Sequence, residues 1–130
     1  MTQPCNDDCD FEIAFYEGIL EKSQDFEQAL MALGDLYTKK GHYQKGLDID
    51  QRLAALRPRD PLVLYNLACS YSLLERVEDA FTTMKRAVAC GYNDFEYMLN
   101  DQDLARLWAD ERFRIFISKV RGQPLSQDKS

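Results

Sequence analysis

The chain has 130 residues, 45% of them apolar and 29% charged, with a net charge of −6. That length suits one domain able to bury roughly two-thirds of the surface its unfolded chain exposes, and seven Tyr with seven Phe exclude a disordered chain. A pI near 4.7 argues against a general nucleic-acid binder, whose affinity comes largely from Lys and Arg neutralising phosphates.

The N-terminus MTQPCNDDCDF has neither the basic start nor the apolar stretch of a secretory signal, and no apolar run approaches the roughly 18 residues of a membrane span. A cytoplasmic protein, away from membranes, is expected. Its four cysteines are then expected to be reduced thiols. Residues 1 to 28 hold eight acidic side chains against one Lys, and residues 1–10 read as a flexible acidic tail. Residues 11–23 read as an N-terminal capping helix with Phe11, Phe15, Ile19 and Lys22 on one face at i, i+4, i+8 and i+11.

From there a period of 34 residues is visible. The shift sets Leu30 on Leu64, Leu33 on Leu67, Gly34 on Ala68, Tyr37 on Tyr71, Gly46 on Ala80 and Ala55 on Ala89. Leu30, Leu33 and Tyr37 fall at i, i+3 and i+7, so each unit opens with an amphipathic helix. Gly41 is placed to end the first of these in a left-handed conformation. A second helix over about 43–56 ends at Arg57-Pro58-Arg59-Asp60-Pro61, where Asp60 can cap the next helix with Pro61 in its first turn. The units span 27–60 and 61–94. The small residues at Gly34, Gly46, Ala68 and Ala80 have a packing reason: they let paired helices approach closely.

Downstream the offset fails. Leu104, Leu107 and Trp108 make one short stripe, and Phe113, Phe116, Ile117 and Val120 another, with Asp101 and Asp110 as N-caps. Residues 95–121 are read as C-terminal capping helices and 122–130 as a flexible tail.

Leu33-Gly34-Asp35-Leu36-Tyr37 and Leu67-Ala68-Cys69-Ser70-Tyr71 resemble the L-G-x-x-Y core of the tetratricopeptide repeat, a 34-residue helix-turn-helix. The departures are Leu30 and Leu64 for the opening Trp, Asp50 where a large apolar residue is usual, and Tyr92 for the closing Pro. The resemblance implies an all-α solenoid of helical hairpins, a right-handed superhelix with two full repeats between capping helices. The segment from Gly91 to Phe95, followed by Asp103-Leu104, Leu107 and Asp110 to Phe113, is similar to a closing segment of many bacterial repeat proteins, which suggests a bacterial origin.

In that family peptides bind along the concave surface lined by first helices. The positions carried over are Gln28, Met31, Asp35 and Lys39 in the first unit and Leu62, Tyr65, Asn66, Cys69 and Leu73 in the second. Members that grip a C-terminal carboxylate use Lys, Asn and Arg there. Asn66 fits one such place, but Met31 and Asp35 stand where Lys and Asn are needed, so no carboxylate clamp is expected. The bland alternative at each position is an ordinary exposed side chain.

A phosphate-binding loop, a dinucleotide fingerprint and a zinc-protease motif are all absent. His42, the one histidine, sits in a turn and reads as inert. Cys5 and Cys9 lack the second ligand pair a closed zinc site needs, and Cys69 and Cys90 read as small packing residues. No catalytic residue, metal or cofactor is expected. The cluster Lys39, Lys40, Lys45, Arg52, Arg57 and Arg59 reads as a solvated helix surface, or else as a docking patch for an acidic partner or the acidic N-terminus. Two functions follow: a non-catalytic module docking a protein or peptide in the groove, or a homodimer joined through terminal helices with Trp108, Phe113 and Phe116 at the interface.

Overall fold

The computed structural model describes residues 7–122. Eight α-helices run in order: α1 (Asp7–Lys22), α2 (Glu27–Lys39), α3 (Tyr43–Leu56), α4 (Pro61–Leu73), α5 (Val77–Ala89), α6 (Phe95–Leu99), α7 (Ala105–Trp108) and α8 (Glu111–Arg121), with a 3-10 turn at Gln102–Leu104 before α7. No strand occurs among the described residues. Helices α2 and α3 start 34 residues before α4 and α5, so two hairpins repeat with the spacing of the sequence pattern.

The punctuation is local chemistry. Gly41 takes φ +83 after α2, a conformation that is strained for residues with a Cβ. The Asp60 carboxylate accepts from the backbone N–H groups of Leu62 and Val63, a cap that contributes about 1 kcal/mol. Asp101 and Asp110 accept from Asp103 N–H and Arg112 N–H in the same way.

Neighbouring helices pack in sequence, α1 on α2, α2 on α3, α3 on α4 and α4 on α5. Two cores result. The first gathers Leu20, Leu30, Leu33, Leu47 and Leu53; the second gathers Leu64, Phe81, Met84, Met98, Leu104, Leu107, Phe113 and Ile117. Helix α4 serves both, giving Val63 and Leu67 to one and Leu64, Tyr65 and Ala68 to the other. A helix apolar nearly all round is one buried between neighbours.

Several expectations are corrected. Helix α1 starts at Asp7, inside the stretch read as a tail. It turns Ile13, Tyr16, Ile19 and Leu20 to the first core, while Phe11 and Phe15 stay 75% and 57% exposed. The choice is set by its partners: Leu20 enters the core, and Tyr37 Oη donates to Glu17 at 2.5 Å. Helix α6, capped by Asp94, is an element the sequence pattern does not show.

Phe113 is fully buried, Phe116 packs on the second core, and Trp108 Nε1 donates to the Met98 carbonyl at 3.0 Å. Phe113 is thus interior, while Trp108 and Phe116 are half-buried on the edge of that core. Val120 is exposed instead of joining their stripe. Cys9 is disulfide-bonded, contrary to the reduced thiols expected, whereas Cys69 and Cys90 are free thiols. Cys5 and the tail beyond Gly122 lie outside the described residues. No described helix is long and apolar enough to cross a membrane.

Candidate functional site, an acidic cavity between the hairpins

A cavity of about 150 Å³ opens where the two hairpins meet the C-terminal segment. Helix α2 gives it Met31, Gly34, Asp35 and Thr38; α3 gives Asp50 and Leu53; α4 gives Asn66, Cys69, Ser70 and Leu73. Tyr97 of α6 and Asp101 and Asp103 of the following turn close the far side. Four carboxylates, from α2, α3 and the turn after α6, thus share one small space.

Asp50 is the most unusual of them. It stands 34 residues before Met84, and both are buried, so a carboxylate fills an apolar layer of the repeat. Ser70 Oγ donates to Asp50 Oδ2 at 2.5 Å. Gly34 makes room on the other side, because a Cβ there would lie 2.9 Å from Asp50 Oδ1. Burial disfavours the charged form and pushes the Asp50 carboxyl up to about 7; the Ser70 hydrogen bond opposes this, and the Asp35 charge adds to it. Asp103 is also raised, by burial first and then by the charges of Asp101 and Asp35.

Asp101 is held from three sides. Tyr65 Oη donates to its Oδ2 at 2.7 Å, the Cys69 thiol approaches the same oxygen at 3.7 Å, and Asp103 N–H donates to Oδ1 at 3.0 Å. The Tyr65 ring stacks on Tyr92 with centroids 4.3 Å apart. Burial raises the Cys69 thiol well above its ordinary value, so it remains a thiol and not the nucleophilic thiolate. Among the described residues no group of three or more His, Cys, Asp or Glu is arranged to hold a metal.

Of the residues proposed for the groove, Met31, Asp35, Asn66, Cys69 and Leu73 meet at this cavity. Gln28 and Leu62 lie outside it, and Lys39 is paired with Asp35 at 3.1 Å on its own helix. Tyr65 is corrected: it is 1% exposed, a core ring whose hydroxyl positions Asp101, because α6 and the turn fold over it. Asp50, Ser70, Tyr97, Asp101 and Asp103 are site residues that sequence reasoning misses. A polar residue at the repeat position of Met84 is the one available signal.

Three further members of the basic cluster are engaged within the chain. Lys40 meets Asp10 of α1 at 2.7 Å, and Arg57 meets Glu27 at 2.6 Å. Arg52 donates to the Gln24 carbonyl at 2.6 Å beside a wider, shallow depression of about 610 Å³ between α1, α2 and α3.

No family model matches the chain, and no solved structure matches it. Over 80 residues, 59% of its length, it is 29% identical to a chloroplastic protein of Arabidopsis thaliana. The match covers 24% of that protein, so the chain spans about a quarter of the length of this curated relative.

Proposed function

We propose that the chain is a tetratricopeptide-repeat module, a right-handed stack of two repeats with capping helices, that binds a protein or peptide segment without catalysis. The segment lies across α2 and α4 and places a Lys or Arg side chain in the acidic cavity. The observation that carries this reading is the convergence of Asp35, Asp50, Asp101 and Asp103 on the place where five of the groove positions meet.

The charge favours a cation, with Lys39 and its Asp35 pair at the rim. Exposed Met31 and Tyr97 line the cavity and Leu62 lies exposed on α4, which supplies apolar contact for the rest of a segment. Asn66 is exposed on α4 and can bond a peptide backbone. A cation beside Asp50 favours its ionised form, so binding releases a proton and strengthens as pH rises through about 7.

The test is a nuclear magnetic resonance titration of the labelled chain with N-acetyl-Ala-Arg-Ala-amide and with the Glu counterpart. The Arg peptide is expected to give saturable shifts at Asp35, Asn66 and Tyr97, larger at pH 8 than at pH 6 and abolished by Asp35→Asn with Asp103→Asn. Equal response to the Glu peptide, or shifts confined to α1, would overturn the reading.

A further inference from the structure

The first and last long helices carry opposite charge and exposed apolar side chains. On α1, Phe11, Phe15, Gly18 and Lys22 form a stripe at i, i+4, i+7 and i+11, opposite the face that enters the first core. Phe11 has the highest exposure of any large apolar side chain among the described residues. Exposed Asp10, Glu12 and Glu21 flank the stripe. On α8, which closes the second core, the outer face shows Arg112, Ile115 and Lys119 at i, i+3 and i+7, with Ile115 45% exposed. That helix carries Arg112, Arg114, Lys119 and Arg121 against Glu111 alone.

We infer that these faces are two halves of one interface, and that copies of this chain associate head to tail, α8 of one copy on α1 of the next. Charge decides between the arrangements. Asp10 is already engaged by Lys40, so a symmetric α1–α1 contact would set the acidic flanks of Glu12 and Glu21 against themselves, and a symmetric α8–α8 contact would do the same with basic ones. Only the heterologous contact brings apolar centre to apolar centre with opposite charges at the rim. Arg112 is already engaged by Asp110 and Glu78, so Lys119 is the principal cation offered to the neighbour.

A helix of 16 residues is about 24 Å long. One face of it falls short of the roughly 800 Å² per partner of a stable complex. The association is therefore weak and grows with concentration; because each copy keeps one free face of each kind, it continues past a dimer unless the rotation closes a ring. Neither face contributes a residue to the acidic cavity, so the outcomes at the two places are independent.

The experiment is sedimentation of the full chain from about 10 μM to about 1 mM, a range set by that small contact. Wild type is expected to gain mass beyond the dimer, less so at high salt. Phe11→Ser with Phe15→Ser, and separately Lys119→Glu, should each raise the apparent dissociation constant at least about tenfold. An equimolar mixture of the two variants should form a dimer and stop there, since only one intact face of each kind remains. Lys119→Glu lies on an exposed face, so unchanged helicity by circular dichroism separates lost association from misfolding. Wild type that stays monomeric overturns the proposal. So does Lys119→Glu that still associates as wild type, or a mixture that fails to pair.

Discussion

Replacing Asp50 with Asn removes a buried charge while leaving an oxygen to accept from Ser70. The native carboxyl is raised from an ordinary 3.8 to about 7, chiefly by burial. Between those values the unfolded chain has lost the proton and the native chain still holds it, so unfolding releases a proton. Stability therefore falls as pH rises from about 4 and levels off once the native carboxyl also ionises, near 7. At about 1.4 kcal/mol per pH unit, the loss attached to Asp50 between pH 5 and pH 8 is about 3 kcal/mol. Urea unfolding followed by far-ultraviolet circular dichroism at pH 5, 6, 7 and 8 measures it. The difference between wild type and Asp50→Asn isolates this group, because Asp103, raised in the same direction, titrates in both. The variant is expected to lose about 3 kcal/mol less than wild type over that range and to be the more stable protein at pH 8. Parallel stability curves for the two proteins would refute the assignment of Asp50 as a buried, neutral carboxyl.

Ser70→Ala removes the donor that holds the Asp50 carboxyl down; in the same urea series, stability should go on falling with pH beyond the wild-type plateau. Gly34→Ala puts a Cβ 2.9 Å from Asp50 Oδ1 and should destabilise by about 1–3 kcal/mol, but by much less in an Asp50→Ala background. A double-mutant cycle by urea unfolding that gives additive values would show that the two residues are not in contact.

The features legible in the sequence are those set by near neighbours along the chain. The hairpins start where the 34-residue shift puts them, Gly41 ends α2, and Asp60 caps α4. The face of α1 was not legible, because the helix offers two apolar stripes. Phe11 with Phe15 and Ile13 with Tyr16 and Leu20 are both well spaced, and only the partner helix selects between them. Size misled there: the two large rings stay outside while smaller Ile13 and Leu20 go in. The cavity was hidden for a different reason. Its carboxylates come from α2, α3 and the turn after α6, and nothing along the chain says that this turn folds back over Tyr65 to set Asp101 and Asp103 opposite Asp35.

The two hairpins share their spacing and differ in one layer. In the second, Ala68 and Met84 are fully buried, and the core around them is completed by Met98, Leu104 and Phe113 from the C-terminal segment. In the first, Gly34 and Asp50 take the same two places and the layer becomes a polar wall. Asp50 is tolerable there because Ser70 accompanies it and the cavity lies alongside; beside Met98 and Phe113 it would have no partner. Helix α4 belongs to both cores, so the apolar second core offsets a penalty that the first carries at neutral pH. A cation held by Asp35, Asp101 and Asp103 would relieve that penalty by favouring the ionised carboxyl. Binding and folding are then linked through one residue: above pH 7 a cationic segment should raise stability more than at pH 5, where Asp50 keeps its proton.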